Sequence, residues 1–330
     1  MLAMQAAFLS VMVGRPAEAE RWADMADRWQ SEGPARPGDL HAEALAAALR
    51  AVICRRGVEH MRADADEAVR KLAAENFVAP LAPFLQGIAR VLCGDLDGGD
   101  ASLEDAVSIG EQVGAHEDVA LALCERALVA MARDDWGRAE VLAGQAGTVL
   151  RRAGIEDSYT IPLVSAVLAR TAMHRGDVQA ARQQLVNAQR LRPLLTYALP
   201  YFAVQARIEL IRVHLALADL AGARTLMREV DDLLRRRPGL GTLADQAQAL
   251  GARLAKESGP SASGASALTG AELRLLPMLS THLSFPQIAE DMFLSRNTIK
   301  SEAVSIYRKL GAASRRQAVT RARELGLLEG

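Results

Sequence analysis

The sequence predicts an all-α protein in two parts. A long array of paired helices fills 1–257, a compact four-helix unit fills 268–330, and a flexible linker over 258–267 joins them. Three observations lead there. First, half of the 330 residues are hydrophobic but only 4% are aromatic. The apolar share is mostly Ala, Leu and Val, which suits helices packed through small side chains. Second, an Asp-led motif recurs at a fixed spacing in the long part. Third, 258–267 read SGPSASGASA, with no charge and no large side chain, so this stretch has no face to bury.

The elements of the long part follow from the recurring frame. Asp135, Asp177 and Asp219 each open an Asp-apolar-x-x-Ala motif, 42 residues apart (135 to 177, 177 to 219). Asp95 lies 40 residues before Asp135, and Gly14-Arg15-Pro16 and Arg56-Gly57-Val58 fit weaker copies upstream. An Asp at a helix start accepts from free backbone N–H groups, and the Ala four residues later lets the preceding helix cross closely. A helical stretch precedes each frame, over 117–133, 159–175 and 201–217. Each unit is therefore a helix, a tight turn and a second helix. Units that cannot bury their faces alone must stack. The array resembles a tetratricopeptide-like solenoid with longer helices. Such an array usually carries a polar end cap, yet the apolar helix after Met1 has no capping residue before it.

Single residues of the array have modest readings. Trp22, Trp29 and Trp136 fit as packing between helices. Cys54, Cys93 and Cys124 are odd in number and far apart, which suits small core residues rather than disulfides. Arg170 and Arg212 both stand seven residues before a capping Asp. They are candidates to line a groove for an anionic effector or acidic peptide, against the alternative of a structural role.

The C-terminal part opens its helices with capping chemistry. Thr269…Glu272, Ser284…Gln287 and Ser314…Gln317 have capping-box spacing, and Ser295 is an N-cap. The segments that follow are about 10, 8, 15 and 10 residues long, and a turn through Met292, Phe293 and Leu294 joins the second to the third. That is a helix-turn-helix pattern. On the third helix Ile299, Ala303, Ile306 and Leu310 make one apolar stripe. Asn297, Lys300, Ser301, Val304 and Arg308 line another face, suited to base edges in a major groove. Ser295, Arg296 and Thr298 sit at the helix start, where N–H groups favour a phosphate, and Lys309 adds a further basic contact. The expected partner is double-stranded DNA.

The charge agrees. The whole chain has a formal net charge of -1, which excludes a uniformly basic protein. Split at the linker, 268–330 carry nine basic and six acidic residues, and 1–267 carry 30 and 34. Positive charge is thus gathered where phosphates would be met.

At this point the residues resemble a known family. Leu268-Thr269, Glu272-Leu273, Ile288-Ala289, the run Leu294 to Lys300, and Tyr307-Arg308-Lys309-Leu310-Gly311 look like the LuxR-type (GerE-like) helix-turn-helix over about 60 residues. The resemblance implies a four-helix DNA-binding domain. In it the positions of Lys300, Ser301 and Val304 face the major groove, and that of Thr298 meets the backbone. It also implies a homodimer through the last helix. Ala318, Val319, Ala322 and Leu325 give that helix an apolar face, which packing within the domain would use equally. Three departures stand out. Pro286 lies in the first turn of its helix, where it is tolerated. Pro277 removes a backbone donor inside the first helix, so a kink or early break is expected. Glu302 puts a carboxylate where many members carry His.

A helical-repeat region before such a domain also resembles the MalT-like large regulators. Those carry a phosphate-binding loop, and none of the four Lys here sits in that frame, so no nucleotide switch is expected. The six His form no metal spacing, and no G-x-S-x-G or Gly-rich nucleotide loop occurs. A non-enzymatic chain without a cofactor is expected. No stretch reaches 18 apolar residues, and the opening segment lacks the basic start of a signal peptide, which predicts a cytoplasmic protein with no membrane partner. The leading reading is a transcriptional regulator whose array senses a protein or small-molecule effector. A rival is an interaction adaptor in which the array acts and the C-terminal unit has lost specific DNA binding. A third makes the chain an incomplete copy of a larger ATP-binding regulator.

Overall fold

A computed structural model of the chain describes residues 2–32, 40–71, 79–257, 268, 270–281, 283–292, 294–324 and 327–328. The linker expected over 258–267, the Thr269 cap, Phe293 of the turn and Leu325 lie outside these residues, as does the side chain of Trp29. The described residues are helical throughout their ordered elements, with no strand among them. The chain divides into two compact units, Met1–Gly251 and Ala252–Gly330.

The first unit is a row of antiparallel helix pairs. They are α1 (Leu2–Met12) with α2 (Pro16–Glu32), α3 (Leu40–Ile53) with α4 (Val58–Lys71), and α5 (Leu81–Leu92) with α6 (Leu96–Val113). The row continues with α7 (His116–Ala132) and α8 (Trp136–Arg152), α9 (Ile161–His174) and α10 (Val178–Leu191), and α11 (Pro200–Ala216) and α12 (Leu220–Arg236). A last helix, α13, spans Thr242–Glu257. Helices α5, α7, α9 and α11 form one inner line, each packed on the next, while their partners lie outside.

One turn design makes the pairs. Asp95, Asp135, Asp177 and Asp219 each accept from the backbone N–H three residues on, at 2.9 to 3.0 Å. Each also donates its own N–H back to a carbonyl of the preceding helix, at 2.8 to 2.9 Å (Asp95 to Arg90, Asp135 to Ala130, Asp177 to Ala172, Asp219 to His214). One residue therefore closes one helix and opens the next. The residue before it is left-handed, with φ of 92° at Gly94, 59° at Asp134, 77° at Gly176 and 57° at Ala218. Two of the four copies thus do without glycine. Four residues after the cap Ala139, Ala181 and Ala223 are fully buried. Gly99 takes that place in α6, where a Cβ would come within 2.5 Å of the Val91 side chain.

Side chains sort by line. Helix α11 is buried almost all round, from Pro200 to Leu215, as expected of a helix walled in on every side. Partner helices such as α12 bury only one stripe: Ala223, Leu226, Val230 and Leu233. Buried charges are paired: Arg126 with Asp100 at 2.9 Å and Glu104 at 2.9 Å, and Arg207 with Glu229 at 2.8 Å. Trp136 stacks on His174, with ring centroids 4.0 Å apart, joining α8 to α9. Cys54 and Cys124 are buried, and burial pushes the Cys54 thiol up to about 12.

The row also meets itself. Val58 at the start of α4 donates its N–H to the Gly239 carbonyl at 2.9 Å, and Arg237 pairs with Glu20 of α2. The approach is so close that a Cβ on Gly241 would lie 2.1 Å from the Leu92 carbonyl oxygen. An open-ended array does not require such a contact, and no local motif announced it.

Candidate nucleic-acid interface

The second unit is built from α14 (Gly270–Leu279), α15 (Phe285–Asp291), α16 (Arg296–Lys309) and α17 (Arg315–Glu324). Ile299, Ala303, Ile306 and Leu310 of α16 are buried against Leu275, Leu276 and Leu279 of α14, Ile288 and Ala289 of α15, and Ala318 and Ala322 of α17. This stripe fixes the rotation of α16 about its own axis. Its ends are fixed too. The Ser295 hydroxyl accepts the Thr298 N–H at 3.1 Å. At the other end Ala312 donates to the Tyr307 carbonyl at 2.8 Å, across Gly311 at φ 64°, a left-handed helix stop. Before it, Gln287 Oε1 receives both the N–H and the hydroxyl of Ser284, at 2.9 and 2.8 Å.

The early break expected at Pro277 does not occur: α14 runs through it to Leu279 and is ten residues long. Ser280 and Thr281 donate their hydroxyls to the carbonyls of Pro277 and Met278, each at 2.7 Å. The remaining carbonyls are met by Arg315 from the start of α17. Its guanidinium donates to Leu283 at 2.6 Å, to Leu279 and Thr281 at 2.8 Å and to Met278 at 3.2 Å. Sequence reasoning saw only a capping context there and missed the clamp.

The opposite side of α16 is open. Ser295, Arg296, Asn297, Lys300, Ser301 and Arg308 are exposed, Thr298 is half-buried, and Val304 is 56% exposed. Asn297 to Arg308 spans about 17 Å of helix, at 1.5 Å per residue. A helix of that length fits a major groove about 12 Å wide. Arg296, Lys300 and Arg308 have no ion pair among the described residues. The Ser301 hydroxyl donates to the Thr298 carbonyl at 2.9 Å, and the Thr298 and Ser295 hydroxyls share a bond of 2.8 Å.

Four expectations need correcting or narrowing. Lys309 does not join this face: its ammonium lies 2.6 Å from Glu272 of α14, and both side chains are largely buried. Swinging the ammonium outward would break this largely buried ion pair, a larger penalty than an exposed ion pair with a phosphate would offset. Glu302 is half-buried, and its Oε2 is enclosed without a hydrogen-bond partner among the described residues, so that oxygen is not offered to a phosphate. The apolar face of α17 is used inside the domain, with Ala318 and Ala322 fully buried and Val319 packed against the core. Its outward residues, such as Arg316, Thr320 and Arg323, are polar. In the first unit, Arg170 and Arg212 do converge, but on buried Glu209. Arg170 lies 3.4 Å from it, and Arg212 pairs with it while donating to Gln246 at 2.8 Å. Their charge is spent within the fold.

Known proteins match parts of the chain. A profile of the bacterial regulatory proteins of the luxR family covers residues 266–322. The transcriptional regulatory protein YdfI of Bacillus subtilis (strain 168) is 44% identical over 61 residues, which is 18% of this chain and 29% of that protein. The chain thus spans less than a third of the length of this curated relative. A solved structure, BtubC (BKLC) from P. vanneervenii, overlaps 70% of this chain and 91% of its own, at 22% identity and a TM-score of 0.41. With its stripe, caps and exposed basic helix in place, the C-terminal unit of this chain is a LuxR-family helix-turn-helix domain.

Proposed function

We propose that the chain is a sequence-specific DNA-binding regulator of transcription, whose helical-repeat unit receives an effector or partner. The observation that carries this reading is α16. Its exposed face holds three basic side chains with no ion pair among the described residues, on a helix whose rotation the core stripe fixes. In this reading α16 enters the major groove. Asn297, Lys300, Ser301 and Val304 meet base edges, with Val304 suited to a thymine methyl. Ser295, Arg296, Thr298 and Arg308 meet phosphates at the helix ends. Lys309 serves the fold instead.

Two copies would read half-sites about one helical turn apart. The outward face of α17 carries Arg316, Arg321 and Arg323 against Glu324. Like charges there oppose pairing in free solution, so the dimer is expected to form on DNA. Enrichment sequencing of genomic fragments with the full chain tests function and operator together. Discrete sites whose affinity falls with salt, at a log–log slope of about -0.9 per phosphate contact, support the reading. Diffuse or absent binding overturns it and leaves the helical-repeat unit as an adaptor.

A further inference from the structure

An open cavity of about 680 Å³ lies among α1, α3, α5, the start of α7 and the start of α11, within the range of small-molecule sites. Its body is apolar. Phe8 of α1, Leu45 of α3, Phe84 of α5 and Tyr201 and Phe202 of α11 face it. The aromatic wall is already assembled, with Phe84 and Phe202 centroids 5.9 Å apart and Tyr201 and Phe202 4.8 Å apart.

At the start of α7 the lining turns polar, with His116, Glu117 and Asp118; Tyr159 adds a phenol and His41 an imidazole. No Lys or Arg lines the cavity among the described residues. Glu117 is engaged by the Ser158 hydroxyl. Asp118 has no hydrogen bond or ion pair among the described residues. Burial, with a smaller push from Glu117, raises its carboxyl to about 7. Asp118 is a half-buried carboxyl on the wall of a largely apolar cavity, with no partner cation among the described residues.

We infer that this cavity binds an apolar organic monocation, an amine or amidine on a hydrophobic body, with Asp118 as its counter-ion. An anion would meet two carboxyls and no fixed cation, so the anionic effector once suggested by Arg170 and Arg212 does not fit here. The inference names a ligand class for the signal-receiving role proposed above and rests on that reading only for its biological use.

The test uses the full chain and three probes sharing one skeleton: 6-phenylhexylamine, 6-phenylhexanol and 6-phenylhexanoate, titrated by calorimetry at pH 7.5. The amine is expected to bind at least tenfold tighter than the alcohol, and the acid more weakly than either. In Asp118→Asn the preference for amine over alcohol should disappear while the alcohol binds as before. The amine's affinity should rise from pH 5.5 to 8 as Asp118 ionises. Glu117, His41 and His116 also line the cavity in both proteins, so the difference between wild type and Asp118→Asn isolates the Asp118 carboxyl. Leu45→Trp fills the cavity and should weaken all three probes together. Equal or tighter binding of the alcohol or acid, an amine preference that survives Asp118→Asn, or no binding of any probe overturns the inference. Amine binding that leaves DNA affinity unchanged supports the cavity assignment and overturns only the effector role.

Discussion

Replacing Arg315 by Ala should loosen the whole helix-turn-helix domain, although Arg315 lies outside the exposed α16 face. Four carbonyls accept from its guanidinium, at 2.6 to 3.2 Å. A hydrogen bond to a charged group contributes about 1.5–3 kcal/mol net when buried. Thr281 is exposed, so water can replace the guanidinium there. Leu279 is buried and Leu283 half-buried, and they would lose more. Counting chiefly those two gives a loss of about 3–6 kcal/mol. A domain of some 60 residues holds only about 3–9 kcal/mol in total, so most of its stability would go. The local readout is hydrogen exchange of the α16 amides in the full chain, which does not depend on the first unit. A loss of about 4 kcal/mol speeds exchange by about a thousandfold where opening limits it. Arg315→Lys keeps the charge but lacks the planar fork, and should recover about half. Exchange of α16 within threefold of wild type in Arg315→Ala would refute the clamp.

Other substitutions probe other parts of the chain. Burial pushes the Glu125 carboxyl up to about 8 from an ordinary 4.5, with Gln205 pulling it partly back. The folded state therefore holds a proton that the unfolded state has lost, and this contribution to stability falls as pH rises from about 4.5 to 8. Glu125→Gln should raise stability at pH 7 by up to about 3 kcal/mol and flatten that fall by about 1.4 kcal/mol per pH unit; urea unfolding across pH 5–8 reads both, and an unchanged slope contradicts the assignment. Ala218→Gly relieves a left-handed alanine at φ 57° and should stabilise by about 0.5–1 kcal/mol after the added freedom of the unfolded chain, seen as a higher Tm. Arg308→Ala should lower the salt slope of DNA binding by about 0.9. The double change Glu272→Leu with Lys309→Met should leave that slope alone, because the pair is internal.

What was legible in the sequence is what is settled within a few residues. Asp135, Asp177 and Asp219 cap as their frame predicts because the acceptor and the N–H it meets are three residues apart. The α16 faces are legible for the same reason, since a stripe at 299, 303, 306 and 310 leaves only one side for 297, 300, 304 and 308. Lys309 was misplaced because it follows the basic, exposed Arg308 along the chain, while the residue that claims it, Glu272, is 37 positions away. Arg170 and Arg212 mislead in the same manner: a repeated offset resembles a groove until Glu209 arrives between them. The meeting of Val58 with Gly239 joins residues on different hairpins, and no local pattern encodes it. A sequence shows which charges exist but not which of them the fold pairs off. The charges left over are therefore the informative ones. In the C-terminal unit they include Arg296, Lys300 and Arg308, gathered on one exposed helix, as a polyanion partner would require. On the wall of the cavity in the first unit Glu117 and Asp118 stand with no basic residue beside them, and the ligand inferred there is a cation. The two remainders have opposite sign, so the DNA proposed for one and the organic cation inferred for the other are distinct ligands.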